Sequence, residues 1–279
     1  MRTSSRNITV NFWQKLKTNN EVSITRRQFL TMFDRKKYKQ FAKMQLSKRW
    51  FTPVIMTLIC FAILFLLEAR DFKEAFMELS EFTIPADEVL FTTETAETGT
   101  YMFDTIRSWI TILVEFILMF AQLNVYLAMS KGPEKITLGT FVEGLGMWVK
   151  AVLAGLWNTL WVFLWSMLFL IPGIVKFYAY SQMFYLLAEF PELSVSKAMK
   201  ISIEITRGHK GDLFVMHLSF IGWAILAAIP AGLGYLWLMP YINMSMTNAY
   251  HGLLKDALST GVIKLEDLKG TSTGANGDF

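Results

Sequence analysis

Residues 151–172 read AVLAGLWNTLWVFLWSMLFLIP, 22 positions without a charged side chain. A helix crosses the hydrocarbon core of a bilayer with about 20 such residues. A soluble helix of this length keeps a polar face for water, and this one has none, so the stretch predicts a transmembrane helix. Five more apolar segments flank it. Phe51–Leu67 carries no charge, Trp109–Met129 carries one (Glu115), and Gly173–Leu187 carries one (Lys176). Leu213–Ile229 and Ala231–Leu254 carry none. Gly173–Leu187 needs Ala188 and Glu189 to complete a span. The expected fold is all-α: six transmembrane helices as three hairpins, with amphipathic helices on the cytoplasmic side.

Composition supports this. Hydrophobic residues make up 53% of the 279 and charged residues 18%, against about 25% charged in ordinary soluble domains. Mean hydropathy is +0.36. A chain this apolar is neither disordered nor easily covered by its own polar surface. The single cysteine, Cys60, excludes a disulfide scaffold and a cysteine-based metal site.

Charge sets the expected orientation. Residues 1–50 hold 13 Lys and Arg against two acids, leaving 14 basic and 21 acidic residues for the rest. With the N-terminus inside, the inner segments 1–50, 130–150, 191–212 and 254–279 hold 23 of the 27 Lys and Arg, as the positive-inside rule requires. The loop 68–107 holds ten acids and three basic residues and belongs outside. The other outer connections are expected at Ile171–Ile174 and Pro230–Gly234. Both termini are then cytoplasmic, in the cytoplasmic membrane.

Three domains follow: a basic arm over 1–50, a transmembrane domain over 51–255, and a flexible cytoplasmic tail over 256–279. Within the arm, Phe29, Leu30, Phe33, Phe41 and Met44 share one helical face between Thr25 and Trp50. Arg26, Arg27, Arg35, Lys36, Lys37 and Lys39 are the candidates for binding anionic lipid headgroups. A helix packed on the protein's own cytoplasmic face is the competing reading. The arm runs straight into an apolar segment, which argues against nucleic acid. Thr52 and Pro53 suit the start of the first span. Leu138–Lys150 and 191–212 repeat the amphipathic pattern ahead of the later spans, with Ser194 as an N-cap and Ala198, Ile201 and Ile205 on one face. The chain thus reads three times as an inner amphipathic helix followed by a hairpin.

The second half carries Trp165-Ser-Met-Leu-Phe-Leu-Ile-Pro-Gly-Ile-Val-Lys176, Tyr178-Ala-Tyr-Ser181, Ala188-Glu-Phe-Pro191, Gly208-His-Lys210 and Leu218-Ser-Phe-Ile-Gly-Trp223. Gly232-Leu-Gly234, Leu236-Trp237 and Pro240-Tyr241 follow. These motifs resemble the bacterial integral membrane family known as domain of unknown function 975. The resemblance spans roughly residues 40–255 and is densest over 160–245. It implies a polytopic bacterial membrane protein and brings neither an activity nor site residues.

The sequence contains no H-E-x-x-H, G-x-S-x-G or G-x-x-x-x-G-K-[ST] motif, so no enzyme chemistry, cofactor or metal is expected. His209 reads as a helix-end residue and His217 as a packed one. Trp157, Trp161 and Trp165 form a stripe suited to packing or lipid contact, with Asn158 able to bond across to a neighbour. Pro240 frees the carbonyl of Leu236 within the last span. Glu115 and Lys176 are charges inside apolar spans, where each is costly unless paired, and the two would meet if their helices were neighbours. With Asn158 and Pro240 they are the candidate substrate-pathway residues. The expected function is a non-enzymatic multi-pass protein that binds or translocates a hydrophobic or amphipathic substrate, a lipid or a peptide. The alternative is an accessory or scaffold protein that binds another membrane protein or a second copy of itself.

Overall fold

The computed structural model describes residues 33–81, 97–132 and 138–269, and these are helical with no strand. The helices are α1 (Arg35–Leu46), α2 (Phe51–Glu81), α3 (Glu97–Lys131), α4 (Leu138–Leu145) and α5 (Trp148–Leu168). They continue with α6 (Leu170–Tyr180), α7 (Met183–Glu189), α8 (Val195–Ile205), α9 (Lys210–Ala228) and α10 (Tyr235–Ser259). Each of the short helices α1, α4 and α8 precedes a longer helical pair. The pairs α2–α3, α5–α6 and α9–α10 pack together.

Local chemistry explains the boundaries. Asp34 starts α1, its carboxylate accepting from the backbone N–H groups of Lys36 and Lys37 at 3.0 and 3.1 Å. The helix stops at Leu46, short of Trp50, and Lys48 takes a left-handed φ of 66°. α2 begins one residue before Thr52, so Pro53 lies in its first turn, where its missing N–H leaves no bond unmade. Ser194 caps α8 by accepting from the Lys197 N–H, and Ala198, Ile201 and Ile205 are buried on one face.

Among the described residues, four helices are long and apolar enough to cross a membrane: Phe51–Ala69 in α2, Met102–Lys131 in α3, α5 and α9. The other two expected spans take different forms. Gly173–Leu187 is divided between α6 and α7 by a turn at Ser181 and Gln182. Every residue of α7 is buried. The last span forms the continuous 25-residue helix α10, but it carries Asn243, Ser245, Thr247, Asn248 and His251 among its apolar residues. One expected connection also shifts. The chain reverses at extended Phe169, and Ile171–Ile174 falls in the first turns of α6. The tail folds back as far as residue 269, burying Ile263 and Leu268, with the Lys197 ammonium donating to the Lys269 carbonyl at 3.2 Å.

Helices approach closely where small residues stand at their crossings. Two glycines allow such packing. A Cβ on Gly144 of α4 would fall 2.7 Å from Ala121 Cα of α3. One on Gly155 of α5 would overlap the ring of Phe116 on α3. α3 therefore sits at the centre, touching α2, α4, α5, α7 and α10.

Candidate functional site

The last residues of α3 and α7 meet α10 at the end of the bundle opposite the α5–α6 turn. There the Glu189 side chain is fully buried, its Oε1 3.0 Å from Lys131 Nζ. Tyr250 Oη donates to the other carboxylate oxygen at 2.6 Å. Tyr185 stacks on Tyr250 with ring centroids 5.1 Å apart. The next residue, His251, joins its Nε2 to Ser130 Oγ at 2.7 Å. The cluster is thus a carboxylate with both oxygens engaged and a cation whose side chain keeps 24% exposure. A buried charge of this kind persists only when paired and hydrogen-bonded.

That exposed part of Lys131 opens into a groove of about 310 Å³ between α1 and the end of α3. Phe41 and Met44 form one lip, 47% and 61% exposed. Arg49, Lys131, Ser130 and Gln45 line the polar side, and no carboxylate among the described residues lines the groove. The walls are tied together. Gln45 Nε2 donates to the Ser130 carbonyl at 3.4 Å and Arg49 Nη1 to the Gly132 carbonyl at 3.1 Å. Asn248 Nδ2 of α10 donates to Gln45 Oε1 at 2.8 Å. An apolar lip beside two cations suits a molecule with a hydrocarbon part and an anionic head.

The residues expected from sequence lie elsewhere. Glu115 is exposed on α3. Lys176 sits over the Trp165 ring at 4.3 Å and within 6.0 Å of the Tyr180 ring. No ion pair joins Glu115 and Lys176. Lys176 finds its stabilisation in aromatic faces beside the α5–α6 turn. Asn158 is half-buried, with its Oδ1 lacking a hydrogen-bond partner among the described residues. Pro240 is buried in α10, which continues through it. Trp157 and Trp161 pack edge to face at 5.9 Å.

Of the six basic residues assigned to the membrane surface, Arg35, Lys36 and Lys37 are exposed on α1. Arg26 and Arg27 lie outside the described residues. Lys39 turns inward. Its Nζ donates to Ser219 Oγ at 2.6 Å and lies 3.8 Å from the Phe220 ring centroid on α9. Burial, reinforced by the neighbouring Arg35 and Lys43 cations, holds its ammonium below the usual lysine pKa. α1 therefore packs on the protein's own helices through Tyr38, Lys39 and Ala42, while Phe41 and Met44 remain free on its flank.

Sequence reasoning assigned no role to Lys131, Glu189, Tyr250 or His251. The one available signal was Glu189, which stands where an otherwise short apolar span needs its last residue. His209 is at the N-cap position of α9, with Nδ1 3.2 Å from Asp212 Oδ2. His217 engages the Leu213 carbonyl one turn back.

No curated protein and no solved structure matches the chain. Glu189, Tyr250 and His251 fall inside the region of family likeness, while Lys131 and the α1 groove precede it. Residues 170–257, from α6 through most of α10, match the family model described as a protein of unknown function, DUF975.

Proposed function

We propose that this is a non-enzymatic multi-pass membrane protein that binds an amphipathic substrate, a lipid or a peptide, at the inner face of a bacterial cytoplasmic membrane and moves it or presents it. The observation that carries the reading is the groove with its apolar lip of Phe41 and Met44 beside Arg49 and Lys131. Lys131 both lines the groove and pairs with the buried Glu189, so an anionic head near Lys131 competes with Glu189 for the same cation.

The proposed arrangement has six crossings with both termini inside. α6 and α7 together cover 170–189, about 30 Å of helix at 1.5 Å per residue, which matches the hydrocarbon core. α7 needs no lipid-facing surface because protein encloses it. The polar side chains of α10 face neighbours in the same way. The groove then lies at the inner interface, level with the basic arm, where anionic lipid concentrates.

Native mass spectrometry of the protein released from mixed-lipid nanodiscs tests the binding. Retention of anionic over zwitterionic lipid, reduced in Arg49→Gln, is the expected result. Equal retention of both lipids, unchanged by Arg49→Gln, contradicts it. An accompanying protein in place of lipid favours the accessory reading.

A further inference from the structure

Three polar atoms in the middle of the bundle are buried without a hydrogen-bond partner among the described residues: Asn158 Oδ1 and Trp161 Nε1 on α5, and Gln182 Oε1 at the α6–α7 turn. Gln182 is 1% exposed, and its Nε2 is spent on Ser181 Oγ at 2.8 Å. Such atoms are rare in folded proteins, because each costs about 1–3 kcal/mol when left unmatched.

Register brings them to one level. Near the α5–α6 turn the backbone of Gly173 lies against Ser166. At the opposite end the Lys150 ammonium donates to the carbonyls of Pro191 and Leu193. Stepping inward from 166 and 173 places 158 opposite 181, and stepping inward from 150 and 191 places it opposite 183. Asn158 is therefore level with the Ser181–Gln182 break, and Trp161 is one turn along the same side of α5. Asn158 is about 16 Å of helix from Phe169, half of a hydrocarbon core about 30 Å thick. A helix interrupted at such depth is tolerated where the freed groups line a polar cavity.

We infer that Asn158, Gln182 and Trp161 form a polar site at the membrane midplane for a neutral group carrying O–H or N–H hydrogens, either water or the amide or hydroxyl head of a small amphiphile. The chemistry follows from the inventory. Two carbonyl oxygens accept and one indole N–H donates. A water or a primary amide satisfies all three at once, with two hydrogens given and one lone pair used. A carboxylate head has no hydrogen to give. The inference does not depend on the α1 groove.

Cysteine accessibility in proteoliposomes tests it, with the buried native thiol removed as Cys60→Ala. Asn158→Cys and Leu160→Cys sit at nearly equal depth, and Leu160 is exposed on the apolar face. A thiol ionises and reacts only where water or polar groups reach it, so a small methanethiosulfonate should label position 158 faster than 160 by about tenfold or more. Gln182→Cys repeats the measurement from the opposite wall, in case Asn158→Cys misfolds. Slowing by octanamide but not by octane assigns the site to an organic head, and labelling that octanamide leaves unchanged assigns it to water. Positions 158 and 182 as inert as 160, or octane protecting as well as octanamide, overturns the inference.

Discussion

Glu189 is enclosed on every side, and its two oxygens are committed to Lys131 and Tyr250. Replacing it with Gln keeps the shape and removes the buried negative charge that faces Lys131. Unfolding in detergent should show a loss of about 3 kcal/mol, the lower end of the range for a broken buried pair because Lys131 is partly exposed. Adding Lys131→Met should cost less than the two single losses combined, and strict additivity would deny the coupling. Tyr250→Phe removes one hydrogen bond to a charged group and should cost about 1.5–3 kcal/mol by the same measurement. Glu115 and Lys176 supply the opposite case. They share no contact, so Glu115→Gln and Lys176→Met should add to within about 0.5 kcal/mol.

At the scale of elements, α1 is held by a close approach to α10. A Cβ on Gly252 would meet the Tyr38 phenol, so Gly252→Ala should cost about 1–3 kcal/mol of overpacking and raise amide exchange across residues 35–46. Exchange unchanged in α1 would mean that another contact fixes it. The helices themselves were largely legible in the sequence. Apolar length announces α2, α3, α5 and α9, and Ser194 announces α8. The division of α6 from α7 was hidden because Ser181 and Gln182 interrupt an apolar run too briefly to alter its hydropathy. α10 announced its length but not its polar, protein-facing character. The site was less legible still. Lys131, Glu189 and Tyr250 come from three separated segments, and no local spacing joins them. Glu115 and Lys176 drew attention because a charge in an apolar run is conspicuous, yet Glu115 is exposed on α3 and Lys176 lies over aromatic rings, with no ion pair between them.

For the whole molecule, the six-crossing arrangement predicts which ends face which compartment. With Cys60→Ala as background, Leu233→Cys in the α9–α10 turn should react with an impermeant thiol reagent in intact cells. Lys264→Cys should react only after lysis. The reverse pattern would invert the bundle and move the α1 groove to the outer face. The groove itself is the centre of the account, because it joins the basic amphipathic helix to the buried ion pair. A photoreactive benzophenone side chain at Met44, on the exposed lip, tests its occupant most directly. Irradiation in native membranes followed by intact-mass analysis should give an adduct of lipid mass, diminished by Arg49→Gln and absent when the probe is moved to Lys36. An adduct of protein mass, or a lipid adduct indifferent to Arg49 and equal at Lys36, would contradict a specific amphiphile site.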